Sequence, residues 1–416
     1  MNKVGPLFSR RVILRGGLAG LAAMMSPSLL ASCSSEGGAP PPPATVGEPP
    51  FGVPIDGPKL VSRIAEIGTL GDPDANGVKL PPGFSARIVA KTNTKPLESS
   101  DYVWHIAPDG GATFLLEDGG YVYVSNSEVP IAGGVGALRF DAAGNLVDAY
   151  PILSMTNINC AGGPTPWGTW LSCEEASRGR VFECDPRGEH EAVVRPALGI
   201  FKHEAAAIDR VKHHVYLTED EDDGCFYRFV PDKLNRHGFA DISSGKLQVA
   251  EVGMDGSVKW LDVPDPLFEG LTPTRKQVAG ATLFDGSEGI WYHEGIVYFS
   301  AKGEGRVYAY DTMTETLAVL YDASQAENPI LTGVDNITVS HSGDVLVAED
   351  TGDMQVVAIL PSGELKPIVQ LMGHDKSEIT GPAFDPSGTR LYFSSQRGDG
   401  SGGVTYEITG PFHAPA

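Results

Sequence analysis

The sequence is poor in charged residues, and basic residues are scarcer than acidic ones. Only 20% of the 416 residues are charged, with 31 basic residues against 53 acidic ones. An acidic excess of this size repels the phosphodiester backbone, so nucleic-acid binding is not expected. The 51 Gly and 32 Pro that are present are typical of many short strands joined by tight turns, which favours one large all-β domain.

Local motifs for covalent or nucleotide chemistry are also missing. The sequence has no Gly-x-Ser-x-Gly element for a serine nucleophile and no Gly-x-x-x-x-Gly-Lys phosphate-binding loop. Neither of these two devices is therefore expected in this chain.

No apolar run is long enough to predict a transmembrane helix, because the stretch from Gly17 to Leu30 is short and is interrupted by Gly and Pro. Paired arginines, Arg10 and Arg11, precede this stretch, which is the pattern of a twin-arginine export signal. The four residues that end at Cys33 then have the form of a lipobox, in which Cys33 would receive lipid.

Three segments are predicted from these features. Residues 1–33 form the export signal, residues 34–60 a flexible linker, and residues 61–416 the folded domain. Without the signal, 27 basic residues remain against 53 acidic ones. We expect a monomeric lipoprotein of the periplasm or cell surface, held to the membrane by its N-terminal lipid.

Cysteine is rare, with five residues in the chain. If Cys33 carries lipid, Cys160, Cys173, Cys184 and Cys225 remain, and their spacing does not match a zinc site. Two disulfides are the simple expectation for an exported chain, although the surroundings of Cys160 favour a separate role.

A repeat organises the rest of the sequence. Six short strands rich in aromatic and β-branched residues, most of which end in polar or acidic residues, begin at Val122, Trp170, Val215, Val297, Val345 and Leu391. Their starts are separated by 48, 45, 82, 48 and 46 residues, and the long interval predicts an insertion at about residues 232–280.

A period of about 45 residues that carries several strands has the length of one propeller blade. The six repeats therefore predict an all-β, six-bladed β-propeller. Turn signals before each repeated strand, such as Ser342-Gly343, indicate that another strand precedes it in a hairpin. The segment 83–92 lies before the first repeat and is expected to pair with the last blade, which would close the ring.

The hairpins predict where the chemistry lies. The first strand of each blade lines the central channel, so residues about 14 to 15 positions apart should meet at one channel mouth. Acidic residues and one thiol recur at these positions in four successive blades, namely Cys160, Glu174, Glu204, Glu219, Asp220, Glu288, Asp335 and Glu349.

Carboxylates this close together repel one another unless a cation compensates them, so the pattern predicts a metal site. Hard oxygen ligands favour Ca²⁺ or Fe³⁺, and a single thiolate among them favours at least one transition metal. His203 is expected to pack rather than to bind metal, and Trp167 and Trp170 to shape their loop. Four basic residues near strand ends could meet a substrate anion, namely Arg178, Lys202, Lys302 and Arg397.

The stretch from Asn159 to Glu175 is similar to the signature of the PhoX family of bacterial alkaline phosphatases. Further similarity lies in Lys202-His203-Glu204-Ala205-Ala206, Tyr216-Leu217-Thr218-Glu219-Asp220, Ser287-Glu288-Gly289-Ile290-Trp291, Asp335-Asn336 and Glu349-Asp350. The chain resembles a shorter member, with Ser127 where many members have His and Val334 where Pro is usual.

The resemblance implies a six-bladed propeller with Fe³⁺ and Ca²⁺ bridged by an oxo group, which hydrolyses phosphate monoesters outside the cytoplasm. It assigns iron to Cys160 and the remaining metal positions to the acidic residues named above. Two alternatives stay open. One is a calcium-dependent lactonase or esterase of the gluconolactonase kind, and the other is a non-catalytic propeller that uses its rim for binding and calcium for stability.

Overall fold

The computed structural model describes residues 58–416. The predicted export signal, Cys33 and residues 34–57 of the predicted linker lie outside this range. Within it, no helix has both the length and the apolar character needed to cross a membrane. The helices of the described residues are short 3-10 segments at Ile64–Glu66, Pro196–Leu198, Thr274–Lys276 and Ala323–Gln325.

Strands form most of the regular structure. Three precede the first blade, namely β1 (Leu60–Ser62), β2 (Val78–Lys79) and β3 (Ser85–Lys91). The first blade contains β4 (Pro108–Leu115), β5 (Tyr121–Ser127), β6 (Gly133–Phe140) and β7 (Leu146–Thr156). The second contains β8 (Asn159–Pro164), β9 (Trp170–Glu174), β10 (Val181–Cys184) and β11 (Val193–Val194).

The third blade is the largest. It contains β12 (His203–Ile208), β13 (Val215–Glu219), β14 (Gly224–Pro231), β15 (Gly245–Val252) and β16 (Val258–Asp262), and the short β17 (Leu283–Phe284) pairs with β14. Segment 232–280, predicted as an insertion, thus supplies the two outer strands of this blade and the loop that follows them.

The remaining three blades complete the ring. The fourth contains β18 (Ser287–His293), β19 (Ile296–Ala301), β20 (Arg306–Asp311) and β21 (Thr316–Asp322). The fifth contains β22 (Val334–Val339), β23 (Val345–Glu349), β24 (Gln355–Ile359) and β25 (Leu365–Leu371), with β2 on its outer edge. The sixth contains β26 (Ile379–Phe384), β27 (Arg390–Ser395) and β28 (Val404–Thr409), and β29 (His413–Pro415) follows it.

The first strands of the six blades surround the centre of the molecule. β4, β8, β12, β18, β22 and β26 each contact the next in turn, and β26 contacts β4 again. The fold is therefore the predicted six-bladed β-propeller, with these innermost strands around the central channel.

The first and last parts of the domain close the ring together. β3 pairs antiparallel with β28, from Ser85 opposite Thr409 to Lys91 opposite Val404, and becomes the fourth strand of the sixth blade. The predicted pairing of segment 83–92 with the last blade is thus confirmed. β1 adds a second junction, because it pairs with β29.

Apolar side chains between adjacent blades form the core. Leu171 and Val181 of the second blade pack with Leu217 and Phe229 of the third in one buried cluster. Burial of one such side chain stabilises a fold by about 1.5–3 kcal/mol. Gly163 allows the close approach of these blades, since a Cβ atom there would lie 1.7 Å from the carbonyl oxygen of Ala206.

Candidate metal centre

A β-bulge recurs in every innermost strand, after the first strand residue in five blades and after the second in the sixth. It leaves two residues out of the ladder with the neighbouring strand, and these are Asp109-Gly110, Cys160-Ala161, Glu204-Ala205, Glu288-Gly289, Asp335-Asn336 and Gly381-Pro382. A bulge re-aims the side chain of its first residue. In five of the six blades that first residue carries a carboxylate or a thiol.

A second set of side chains follows the second strand of each blade. The residue directly after that strand is Glu128, Glu175, Asp220, Lys302, Asp350 or Gln396, in blade order. In most blades its amide donates a hydrogen bond to the residue just before the innermost strand, as Glu175 does to the carbonyl of Ile158 at 2.7 Å. The two sets therefore meet at one mouth of the channel.

Nine of these side chains and their neighbours form overlapping groups of three. The groups are Asp109–Glu128–Cys160, Cys160–Glu175–Glu204, Glu204–Glu288–Asp335 and Asp335–Asp350–Glu378. Within each group the ligand atoms lie within 4.8 Å of one another. Because Cys160, Glu204 and Asp335 are each shared by two groups, the nine residues form a continuous arc, here called the acid ring.

Side chains of the sixth blade close this arc. The Nε2 atom of Gln396 donates hydrogen bonds to Asp109 and Glu128, each at 2.5 Å. Arg397 forms an ion pair of 2.8 Å with Glu378. The ends of the acid ring are thereby held next to each other by residues of a single strand end.

Two lysines enter the acid ring. The ammonium of Lys202 lies 2.8 Å from Glu175 and 2.7 Å from Asp220. Lys302 contacts Glu288 closely and lies 3.1 Å from Asp335 and 3.2 Å from Asp350. These two charges offset only part of the negative charge that nine ligand side chains could carry.

Burial and mutual repulsion act on the acid ring. Burial, and then the charge of Glu288, raise the pKa of Glu204 well above its ordinary value. The pKa of Cys160 is raised by burial and by the charges of Asp109 and Glu204. Burial also disfavours the charged form of Asp220, but the charges of Lys202 and Lys302 and its hydrogen bonds together outweigh burial and lower the pKa of Asp220. Bound cations would remove the repulsion on the first two groups.

The donor set fits such cations. Among the described residues Oε2 of Glu204 is buried without a hydrogen-bond partner, while its Oε1 atom accepts a 3.1 Å contact from the sulfur of Cys160. A buried carboxylate oxygen with no partner is costly in a protein interior. Carboxylates suit Ca²⁺ and Fe³⁺, and the one thiol suits a transition metal.

The structure brings together half of the residues predicted as metal ligands. Cys160, Glu204, Glu288 and Asp335 lie in the acid ring. Asp220 lies beside it and contacts Lys202, which in turn contacts Glu175.

Glu174, Glu219 and Glu349 are not placed in the acid ring, contrary to the sequence prediction. They end the second strands and pair with Asn159, His203 and Val334, one residue before each bulge. Side chains alternate along a strand, so the residue that follows each of them faces the ring instead.

These three glutamates support loops. Glu174 accepts hydrogen bonds from Arg180 and from the amide of Asn157. Glu219 accepts one from Tyr227 at 2.7 Å, and burial raises the pKa of Glu219 to about 7. Glu349 accepts from the amides of Thr332 and Gln355.

Five members of the acid ring were not among the predicted ligands, namely Asp109, Glu128, Glu175, Asp350 and Glu378. Three of them could have been predicted from the sequence. Glu128, Glu175 and Asp350 stand one position after the last strand residue, where alternation turns the side chain back toward the channel. Asp109 and Glu378 lie 18 and 17 positions before the last residues of their second strands, Ser127 and Ser395, which exceeds the assumed spacing of 14 to 15.

The other predicted side chains have structural partners. His203 is buried, stacks on Phe201 with ring centroids 3.6 Å apart, and its Nε2 atom contacts the carbonyl of Gly199 at 3.0 Å. Trp167 donates a hydrogen bond to Glu183, and Trp170 donates one to Asn126. Both tryptophans therefore have hydrogen-bond partners within the fold.

Cys160, Cys173, Cys184 and Cys225 are buried and unbridged, so the expectation of two disulfides is wrong. Only Cys160 among these four belongs to the acid ring. The others pack in apolar clusters between the blades.

The chain matches the family described as alkaline phosphatase PhoX over residues 125–181 and 176–399, which is more than half of its length. The chain belongs to the PhoX family. Members of a family of alkaline phosphatases are phosphatase-type hydrolases that act on phosphate monoesters, and the family implies metal cofactors. A search of curated proteins finds no match.

Solved structures of similar fold agree with the propeller. One is PhoX of Pseudomonas fluorescens in complex with vanadate, a transition state analogue, with 17% identity, a TM-score of 0.66, and 85% of this chain and 98% of that chain covered. A protein of unknown function from Bacteroides thetaiotaomicron has 8% identity and a TM-score of 0.51, with 82% and 83% covered. At these identities the likeness concerns the fold.

Proposed function

We propose that this PhoX family member hydrolyses phosphate monoesters with Fe³⁺ and Ca²⁺ ions held in the acid ring. The observation that carries the proposal is the continuity of the ring, because four ligand groups from six blades overlap at one channel mouth.

Cys160, Glu175 and Glu204 are proposed to hold iron, since they form one group and the thiol of Cys160 favours a transition metal. Other carboxylates of the acid ring, such as those of Asp109 and Glu128, are proposed to hold calcium. When bound, the ions would neutralise charge on the transferring phosphoryl group and activate water for attack.

Two asparagines hold the proposed metal ligands in place. Asn336 donates to Asp335 at 2.9 Å and accepts from the amide of Gly381 at 2.8 Å, which joins the fifth and sixth blades. Asn126 donates to the carbonyls of Cys160 and Ala161 and so holds the bulge that carries the thiol. Ligands that are held rigidly in this way need to rearrange less when charge develops in the transition state.

The test is hydrolysis of p-nitrophenyl phosphate by protein whose iron and calcium content has been measured. We expect release of p-nitrophenol by the metal-loaded protein and at least a hundredfold loss after chelation, with recovery when both metals return. Metal-loaded protein without activity would contradict the proposal.

Two glutamate substitutions compare a candidate metal ligand of the acid ring with a buried glutamate outside the ring. Glu204→Gln removes a ligand from two groups, whereas Glu183→Gln changes an equally buried glutamate that is paired with Arg195 at 2.5 Å. We expect Glu204→Gln to lose bound metal and activity together. Folded Glu183→Gln protein should keep its metal content.

We also propose that the twin-arginine signal directs export of the chain and that Cys33 carries lipid in a periplasmic or cell-surface lipoprotein. The support is the sequence pattern at residues 1–33. Mass spectrometry of the N-terminal peptide tests it, and an unmodified Cys33 in membrane fractions would contradict it.

A further inference from the structure

Lys302 occupies a position that carries an acid in most other blades. The residue after the second strand is Glu128, Glu175, Asp220 or Asp350 in four blades and Gln396 in the sixth. The fourth blade places an ammonium group at this point. At this one location on the channel mouth, the fourth blade carries a positive charge where most other blades carry a negative one.

The contacts of Lys302 connect two adjacent blades. Its Nζ atom contacts Glu288 of its own blade and lies 3.1 Å from Asp335 and 3.2 Å from Asp350 of the fifth. An ammonium group has three donors, and here each of three carboxylates lies within ion-pair distance of it. This environment, made of hard oxygen atoms from converging strands, is also the one that a divalent cation would need.

The same carboxylates belong to two of the four ligand groups. Glu288 and Asp335 form one group with Glu204, and Asp335 and Asp350 form the next with Glu378. Lys302 therefore lies where these groups share Asp335. A divalent cation at this point would approach the ammonium closely, and like charges at such a distance repel.

Lys202 differs from Lys302 in the number of acid-ring carboxylates that it contacts. It contacts Glu175 and Asp220, and only Glu175 belongs to the acid ring. Lys202 therefore contacts one carboxylate of the acid ring, whereas Lys302 contacts three.

We propose that the Lys302 ammonium is a built-in cation that takes the place of one divalent metal ion beside Glu288, Asp335 and Asp350. Metal ions would then bind mainly on the side of the acid ring that contains Asp109, Glu128, Cys160, Glu175 and Glu204. This inference rests on the proposed metal centre and concerns how many ions that centre holds.

Substitution of Lys302 tests the inference through metal content. We expect Lys302→Gln to bind one more Ca²⁺ per chain than the wild type, measured by elemental analysis after equilibration in calcium, and its melting temperature to rise with added calcium. Lys302→Arg keeps the positive charge and should bind the same number of Ca²⁺ ions per chain as the wild type. Lys376→Gln is the control, because Lys376 is exposed. An unchanged or lower calcium content in folded Lys302→Gln would overturn the inference.

The wild-type protein supplies a second measurement if Lys302→Gln does not fold. Amine acylation followed by mass spectrometry reports the accessibility of each lysine with and without calcium and iron. We expect Lys302 to stay at least tenfold less reactive than Lys376 in the metal-loaded protein. Lys302 that becomes as reactive as Lys376 when metal is added would show displacement by an ion and overturn the inference.

These results are separable from the proposed function. Hydrolysis of p-nitrophenyl phosphate tests the phosphatase, whereas calcium content and acylation test the role of Lys302. An active enzyme with an unchanged ion count in Lys302→Gln would leave the phosphatase intact and remove only the built-in cation.

Discussion

The sulfur of Cys160 lies 3.1 Å from Oε1 of Glu204, across the boundary between the second and third blades. Each residue is the first of the two bulged residues in its own innermost strand. The contact shows how a repeated backbone irregularity brings side chains 44 positions apart in sequence into one donor set.

Cys160→Ser should lose iron while it keeps most of its calcium, because only the thiol strongly favours a transition metal over calcium. We expect at least tenfold less bound iron by elemental analysis, with hydrolysis of p-nitrophenyl phosphate reduced to a similar degree. Cys184→Ser is the matched control, since the Cys184 sulfur lies 3.8 Å from the carbonyl of Phe182 in an apolar cluster. Equal iron content in the two variants would refute this assignment.

Glu174 and Glu175 are neighbours whose substitution should have different effects. Glu174→Gln weakens charged hydrogen bonds to Arg180 and to the amide of Asn157, so the free energy of unfolding should fall by about 1–3 kcal/mol. Glu175→Gln removes a metal ligand candidate, so bound metal should fall. Urea unfolding of the metal-free variants and their metal content check both expectations. The prediction fails if Glu174→Gln is the variant that loses more metal.

Gly163→Ala should prevent close packing of the second blade on the third. The added Cβ atom would lie 1.7 Å from the carbonyl oxygen of Ala206, and overpacking of this kind commonly costs about 1–3 kcal/mol or more. Thermal unfolding measures the loss. Gly68→Ala is the control, because its nearest neighbour would lie 3.5 Å away, and it should melt close to the wild type. Similar melting temperatures for the two variants would contradict the packing argument.

Asp185 should stabilise the protein at neutral pH and not in strong acid. Burial opposes its charge, but hydrogen bonds from His190 and Arg187 outweigh burial and lower the pKa of Asp185. A lowered folded-state pKa gives stability that is present above the unfolded-state pKa and is lost as the pH falls through the folded-state value.

The comparison of wild type with Asp185→Asn isolates this contribution. The difference in the free energy of unfolding should be about 2 kcal/mol at pH 7 and should shrink below pH 4, because hydrogen bonds to charged groups have this magnitude. Chemical denaturation of both metal-free proteins at several pH values measures it. A difference that does not depend on pH would show that the charge of Asp185 is unimportant.

The sequence was sufficient to predict the propeller because strands rich in aromatic and β-branched residues recur between turn signals with the period of one blade. The strands that start at Val122, Trp170, Val215, Val297 and Val345 lie within or begin β5, β9, β13, β19 and β23. Segment 83–92 also closes the ring as expected, since an unpaired strand early in the domain has one free sheet edge to occupy.

The details of the candidate site could not be predicted as well, for a geometric reason. An ideal hairpin pairs residues in strict register, and that assumption selected Glu174, Glu219 and Glu349. The bulges shift the register by one residue, and a shift of one reverses which side chain faces the channel. Nothing in the spacing of acids alone reports a bulge, so Glu175 and Asp350 were passed over as ligands.

The junction of β3 with β28 has a consequence for synthesis on the ribosome. The strand at Ser85–Lys91 is synthesised long before its partner at Val404–Thr409. Nascent chains that lack the last blade would expose an open sheet edge and would lack Glu378 and Gln396. A complete set of donors could then retain ions only after the sixth blade has been synthesised and has folded.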